Sequence, residues 1–288
     1  MAASAKTLTA RNDSLNEDWT IVVPRRGRRR GRTNPLIQTR EPLPQQQAIP
    51  WTPTDFEVDS LRESKLIQKM ELCMKKLETS QFFLTLLDQI QSQEILHNLQ
   101  KVLGFDSNMQ MVIYGIGSIE SYENPRLQLS LALLLKRKFS WIGGIEVFDP
   151  VLSTTESQVL EVLGCLVLSI DEQGRRKALK PTIFFMPHCE AELYDNLLEE
   201  NWRVGLLKNI VLLGNSFENY EQYASQFKNS VVALARHIFS ISKFTDEFKI
   251  KTVSDDYYGA FHDSSWHFFS PVVDPGSQSS NFDCIPEI

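Results

Sequence analysis

The feature that most constrains the fold is an alternation of two sequence patterns from residue 109 onward. Short runs of β-branched and aromatic residues, bounded by turn residues, alternate with stretches of helical apolar period. The short runs are MQMVIYG (109–115), GGIEVFDP (143–150), CLVLSI (165–170), TIFFMP (182–187), NIVLLG (209–214) and FKIKTV (248–253). Because strands that alternate with helices pair in parallel through right-handed crossovers, the sequence predicts an α/β fold with a Rossmann-like, mostly parallel sheet flanked by helices.

Helical patterns lie between and before these runs. They cover 56–102, 127–135, 156–163, 190–202 and 218–240, and the first is long enough for two amphipathic helices that cover the sheet. The link at 171–180 is too short for a comfortable crossover helix, so the strand at 165–170 is predicted to run antiparallel or to lie at a sheet edge. The aromatic segment FHDSSWHFF (261–269) is predicted either to cap the sheet or to bind a partner.

The composition changes sharply near residue 55. Residues 1–55 are polar and rich in Arg, Pro and Gln without an apolar period, so we expect a disordered basic tail, then an α/β domain at 56–270 and a C-terminal tail at 271–288. Residues 1–50 hold nine Lys/Arg and four Asp/Glu, a charge of +5, which leaves −11 for the rest of a chain of net charge −6. An acidic domain repels a phosphate backbone, so we expect nucleic acid to bind only through the tail.

The basic run PRRGRRRGR (24–32) has three interpretations: a nuclear-import signal, a solvated tail or an RNA-contacting arm. The candidate import residues are Arg25, Arg26, Arg28, Arg29, Arg30 and Arg32.

The cysteines and the apolar runs indicate the class of protein. Cys73, Cys165, Cys189 and Cys284 are far apart and form no CxxC pair, which predicts free thiols in a reducing compartment and no zinc site. No apolar run is long enough to span a bilayer. We therefore expect a soluble intracellular protein without a membrane partner.

Polar and small residues follow four of the predicted strands. In open α/β sheets, ligands bind outside the carboxyl ends of the strands, so we predict a ligand site there. The candidates are Gly115, Gly117, Ser118, Ser121, Asp149, His188, Cys189, Asn215 and Ser216. Turns select the same residue types for backbone reasons alone, and this structural interpretation stays open.

The glycine loop GIGSIE argues against ordinary NAD binding. It lacks the third glycine of GxGxxG and has Glu120 close to where a pyrophosphate would lie. A nucleoside cofactor whose ribose hydroxyls bind Asp149 stays open.

Two other chemistries use the same strand ends. Ser118 or Ser216 could form a triad with His188 and Asp149, although the chain has no GxSxG elbow. His188 or Cys189 could ligate a metal or haem; the alternative is a hydrogen-bonded histidine beside a buried cysteine.

Four blocks of this sequence resemble, in order and spacing, those of the SRR-like family. They are VIYGIGSIESYENPRLQLSLALLL, EVFDPVLSTTE, TIFFMPHCEAELYDNLLEENW and NIVLLGNSFENY, within about 109–220, and EDWTIVVPRRGRRRG and FHDSSWHFF resemble the plant members in particular. The family motif positions include the candidate residues named above, together with Gln128, Pro150, Pro187 and Gly214. The family assigns no chemistry to any of them.

The resemblance implies a regulatory protein. Plant members act in phytochrome B red-light signalling, the circadian clock and flowering time, and are found in cytoplasm and nucleus; animal relatives are linked to haem biosynthesis and clock regulation. One hypothesis is therefore a binding module whose partners are proteins of the light and clock pathway. The other is an enzyme or sensor that uses an S-adenosylmethionine-like nucleoside cofactor or haem at the strand ends. No enzymatic activity is established for the family.

Overall fold

A computed structural model of the chain describes residues 49–53, 55, 57, 59–226, 235–252 and 255–270. All of these belong to one compact unit, 47–288. Nearly all of the predicted N-terminal tail, its six import arginines and the predicted C-terminal tail lie outside the described residues.

Nine short strands form two sheets in the described part of the chain. They are β1 Ile49–Pro50, β2 Met109–Tyr114, β3 Ile142–Phe148, β4 Cys165–Val167, β5 Ile170–Asp171, β6 Thr182–Met186, β7 Ile210–Asn215, β8 Thr245–Lys249 and β9 Ser264–Phe269. The main sheet has the order β4-β3-β2-β6-β7-β9-β8, and β1 pairs with β5 separately. Five neighbouring strands are parallel, whereas β9 is antiparallel to β7 and β8. The predicted α/β class with a mostly parallel sheet is confirmed.

Ten helices accompany these strands within the described residues. They are α1 Ser60–Glu78, α2 Gln81–Ile90, α3 Gln93–Leu103, α4 Glu123–Lys138, α5 Thr154–Val162, α6 Ala191–Glu200, α7 Val204–Leu207, α8 Phe217–Gln226, α9 Arg236–Ile241 and α10 Asp255–Phe261. The region 56–102 contains three helices rather than the predicted two. The reason is local: the hydroxyls of Ser80 and Ser92 accept backbone N–H groups and begin α2 and α3.

Helices and loops bury both faces of the sheet. Alternate residues of β2 point to opposite faces, so that Met111 and Ile113 pack in one apolar cluster and Val112 and Tyr114 in the other. Burial on both faces explains why the parallel strands read as continuous apolar runs. No helix among the described residues is long and apolar enough to cross a membrane.

One expectation about the strands is confirmed and another needs correction. The segment at 165–170 lies at a sheet edge, which was one of its two predicted placements; β4 is parallel to β3, and the chain then turns into the separate strand β5. The segment SSWHFF (264–269) neither caps the sheet nor offers a partner surface, because it forms β9 between β7 and β8 with all six residues buried.

The link that is too short for a helix is held by an arginine. Arg176 donates through Nε and Nη2 to the two carboxylate oxygens of Glu172, at 2.9 and 3.0 Å, and through Nη1 to Glu146 of β3. The Tyr114 hydroxyl donates to the same Glu172 carboxylate. Ala178 of the link is buried in the same apolar cluster as Tyr114, so the link fills part of the layer that a crossover helix would occupy.

Replacing this arginine should therefore loosen the sheet. We expect Arg176→Ala to lower the free energy of unfolding by about 1–3 kcal/mol, because two partly buried carboxylates lose their partner. Lys177→Ala removes a neighbouring cation whose pair with Glu200 is more exposed, and should stay within about 0.5 kcal/mol of the unchanged chain. Urea unfolding of both variants measures the difference; equal losses would contradict the role of Arg176.

Candidate functional site

A crevice of about 470 Å³ opens at the carboxyl ends of the parallel strands. The strand order reverses between β2 and β6, and residues that follow both strands line the crevice. Such a reversal is where doubly wound sheets bind ligands. Four predicted candidates line it, namely Gly115, Asp149, His188 and Cys189. The other five candidates do not, and each has a structural partner.

Gly115 and Cys189 meet at the floor of the crevice. Gly115 has φ +67°, and a Cβ added there would lie 2.6 Å from the Cys189 sulfur. The buried Cys189 thiol donates to the Tyr114 carbonyl at 3.2 Å, and burial raises its pKa. A thiol with a raised pKa is a poor nucleophile and a poor metal ligand, so the buried-cysteine interpretation fits.

Asp149 lines the crevice, but both of its carboxylate oxygens accept backbone N–H groups. Its Oδ2 accepts the N–H of Gly117 at 2.7 Å, and its Oδ1 accepts the N–H of Val151 at 2.9 Å. Burial raises the pKa of this carboxyl, while the two backbone hydrogen bonds oppose the rise. Asp149 therefore fixes the turns after β2 and β3, and only the remaining lone pairs of its oxygens are available to a ligand.

Ser118 and Ser121 are held by a buried carboxylate outside the crevice. The Ser118 hydroxyl donates to Oε1 of Glu156 at 2.6 Å, and the Ser121 N–H donates to the Ser118 oxygen at 3.1 Å. Glu156 also accepts the N–H groups of Glu120 and Ser153. The glycine loop is thus fastened to the first turn of α5.

Asn215 holds the turn that carries His188 and Cys189. Its Oδ1 accepts the His188 N–H at 2.6 Å, and its Nδ2 donates to the Cys189 carbonyl at 3.1 Å. The Tyr194 hydroxyl in turn accepts the Asn215 N–H at 3.0 Å and donates to the Met186 carbonyl. Ser216 is buried, and its hydroxyl accepts the Asn219 N–H at 3.4 Å in the first turn of α8.

His188 adopts a left-handed conformation, with φ +59°. Its Nε2–H donates to the His262 carbonyl at 3.0 Å, and its Nδ1 faces the Gln128 amide at 3.5 Å. A metal or haem iron at this ring would have to displace one of these two contacts. Although the residue is exposed at the crevice, the centroid of its ring lies 4.4 Å from the centroid of the His262 ring. Burial of the imidazole lowers its pKa.

The predicted triad is not assembled. Ser118 is bonded to Glu156, Ser216 begins a helix and Asp149 accepts two backbone N–H groups. Within the described residues, no group of three or more His, Cys, Asp or Glu side chains is placed to hold a metal ion.

Sequence reasoning missed two features of the site. The role of Glu156 could have been predicted from the sequence, because Ser153 and Glu156 form the S-x-x-E capping box at the start of α5. The acidic lining could not be read from the sequence, since Asp171 of β5, Glu190 at the start of α6 and Glu192 of α6 come together only through the tertiary fold.

A family model described as the SRR1 domain matches residues 86–268. The chain belongs to this family. The resemblance drawn from the four sequence blocks is confirmed.

Relatives match over most of their length. The Arabidopsis thaliana protein SENSITIVITY TO RED LIGHT REDUCED 1 is 52% identical over 267 residues, which cover 92% of this chain and 96% of that protein. A Mus musculus SRR1-like protein is 32% identical, covering 72% of this chain and 87% of its own, and a Drosophila melanogaster SRR1-like protein is 25% identical, covering 80% and 78%.

Solved structures match only weakly. The 23S rRNA methyltransferase ErmE aligns with a TM-score of 0.32 and 9% identity, over 62% of this chain and 67% of its own. The plantazolicin methyltransferase BpumL in complex with SAH aligns with a TM-score of 0.28 and 8% identity, over 73% and 98%. Values this low carry no conclusion about the chemistry of this chain.

The contact at the crevice floor can be tested with two glycines. Gly117 also has a positive φ, +74°, but only Pro125 lies near its added Cβ, at 3.5 Å. Gly117→Ala should therefore destabilise the fold by about 1–2 kcal/mol through the backbone alone. Gly115→Ala should cost about 1–3 kcal/mol more because of the clash with Cys189.

Removing the sulfur is the control for that clash. Cys189→Ala should recover most of the excess loss in the Gly115→Ala background and none in the Gly117→Ala background, as urea unfolding of the double-mutant cycles would show. An equal effect in both backgrounds would mean that the contact between Gly115 and Cys189 is not what limits position 115.

Proposed function

We propose that this protein is a regulator of the red-light response, acting in phytochrome B signalling, the circadian clock and flowering time. The observation that carries this proposal is the 52% identity to the Arabidopsis red-light protein, which extends over 96% of that protein. Because this identity extends over nearly the whole of both chains, we expect this chain to act with the same partners as the relative.

The state of the candidate catalytic groups supports a binding role. Ser118, Ser216, Asp149 and His188 each direct their polar atoms to another group of the protein. A nucleophile and its base need a hydrogen bond to each other, and no hydrogen bond joins any two of these four side chains. The proposed partners are proteins of the light and clock pathway, in cytoplasm and nucleus.

Complementation tests the regulatory role. Expression of this chain in Arabidopsis plants that lack the 52% identical relative should restore the inhibition of hypocotyl elongation by red light, with no change in darkness. Full expression without any recovery in red light would rule out the proposed role.

The same plants test localisation. Changing Arg25, Arg26, Arg28, Arg29, Arg30 and Arg32 to Gln should move a fluorescently tagged chain from the nucleus to the cytoplasm. Lys6, Arg11 and Arg40 changed to Gln form the control outside the cluster. An unchanged nuclear signal in the first variant would exclude the import interpretation.

A second candidate function is the binding of a nucleoside cofactor in the crevice. The crevice lies where the strand order reverses, and its lining includes the carboxylates of Asp149, Asp171, Glu190 and Glu192 but neither Lys nor Arg. This lining repels phosphates and attracts positive charge. It therefore favours a cationic nucleoside such as S-adenosylmethionine over NAD, and also disfavours the carboxylates of haem.

Thermal unfolding distinguishes these ligands. At a concentration about 100 times its dissociation constant, S-adenosylmethionine should stabilise the chain by about 2.7 kcal/mol, whereas NAD at the same concentration should leave the midpoint unchanged. Changing Glu190 and Glu192 to Gln should weaken the effect. Changing the exposed Glu161 to Gln, which lies on α5 and does not line the crevice, should not. A larger shift with NAD than with S-adenosylmethionine would exclude a cationic nucleoside site.

A further inference from the structure

The amino ends of the parallel strands form a second surface. It lies at the opposite end of these strands from the crevice. Backbone hydrogen bonds fix its order. The Met109 N–H donates to Trp141 at 2.8 Å, Gln110 to Pro181 at 3.1 Å, and Thr182 to Asn209 at 2.8 Å. The chain segments that precede β3, β2, β6 and β7 therefore lie side by side, over about 14 Å at 4.8 Å per strand.

Basic side chains stand along these segments. We call the following residues the basic edge: Arg137, Lys138, Lys180 and Lys208, with the apolar Phe105 and Leu179 between them. The four cations are exposed and form no ion pair with any described residue. Asp106, in the loop before β2, is the carboxylate nearest to Phe105 in sequence.

The basic edge is positively charged, whereas the domain as a whole is negatively charged. Residues 51–288 carry −11, which follows from −6 for the whole chain and +5 for residues 1–50. Arg137 and Lys138 also complement the carboxyl end of α4, which accounts for two of the four cations. Lys208 is the C-cap residue of the four-residue helix α7 and so also lies at a helix carboxyl end, whereas Lys180 lies in no helix and helix stability does not explain it.

Two large apolar side chains are exposed among these cations. Phe105 has a relative exposure of 110% and Leu179 of 78%, the two highest values among the large apolar residues that the structure describes. Leu179 directly precedes Lys180, and Phe105 precedes the strand that pairs with β6. Aromatic and apolar groups ringed by charge are typical of protein-binding surfaces.

We propose that the basic edge binds an acidic protein segment that carries apolar side chains between its carboxylates. Carboxylates spaced along such a segment would meet Lys138, Lys180 and Lys208, while its apolar residues cover Phe105 and Leu179. A span of about 14 Å matches four or five extended residues at about 3.3 Å each. A membrane fits less well, because two apolar side chains anchor it weakly. A nucleic acid fits less well, because the domain is acidic as a whole.

Fluorescence anisotropy with three defined probes tests this surface. The probes are a labelled peptide of about ten residues that alternates Glu with Leu or Phe, an RNA of equal charge, and vesicles of phosphatidylserine and phosphatidylcholine. With the full chain, we expect binding of the peptide, but not binding of the RNA or the vesicles, to depend on the basic edge. Changing Lys138, Lys180 and Lys208 to Glu should weaken peptide binding by about tenfold or more.

Matched variants separate the basic edge from other cations. Lys65, Lys69 and Lys75 changed to Glu alter the charge equally on the exposed face of α1 and should weaken binding far less. Phe105→Ser with Leu179→Ser should weaken binding of this peptide, but not of a peptide with Ser in place of Leu and Phe. Circular dichroism would verify that each variant is folded.

Three outcomes overturn the proposal. One is equal loss in the two lysine variants, and another is a preference for RNA or vesicles over the peptide that is lost when Lys138, Lys180 and Lys208 are changed to Glu. The third is loss of binding only when the six tail arginines at 25–32 are changed, which would assign the acidic segment to the tail. None of these outcomes bears on complementation in red light, so failure here and failure of the regulatory role are distinguishable.

Discussion

The turns at the carboxyl edge of the sheet depend on side-chain acceptors for their backbone N–H groups. Asp149 accepts from Gly117 and Val151, Glu156 accepts from Glu120, and Asn215 accepts from His188. A buried N–H group without a partner is costly, so these three side chains determine where each loop can lie. The crevice is the space that remains between loops fixed in this way, and its shape is therefore built into the fold before any ligand arrives.

The sequence predicts the sheet well because burial on both faces leaves nearly continuous apolar runs at β2, β6 and β7. It predicts β9 poorly, since Ser264, Ser265 and His267 interrupt the apolar pattern although all three are buried. Only the pairing of β9 with both β7 and β8 supplies the partners that bury those polar residues, and that pairing is a long-range contact. Ser80 and Ser92 are residue types that commonly begin helices, so the starts of α2 and α3 could have been predicted from them. The helical apolar pattern continues across both serines, and this continuity favoured fewer, longer helices.

The sequence indicated where in the fold the crevice lies, but only some of the residues that line it. Strand ends converge by topology alone, so Gly115, Asp149, His188 and Cys189 could be placed together without any coordinates. Whether a polar residue at a strand end faces the crevice or the backbone depends on its rotamer and its neighbours. Asp149 lines the crevice and also accepts two backbone N–H groups, whereas Ser118 bonds the Glu156 side chain and Ser216 accepts an N–H of α8; binding of a ligand at the crevice stays a prediction.

The two edges of the sheet carry opposite charge, and the polarity of a parallel sheet makes this separation possible. All five parallel strands start at the edge with Lys180 and Lys208 and end at the edge with Asp149 and Glu190. A ligand in the crevice and a protein on the basic edge would therefore be separated by the length of a strand, roughly 17–20 Å. Charges that far apart are largely screened at physiological salt, so electrostatics alone couples the two edges weakly. Within the sheet, β2 and β6 connect the two ends most directly: Tyr114 of β2 lines the crevice, His188 and Cys189 follow β6, and the loops before these two strands carry Phe105 and Leu179.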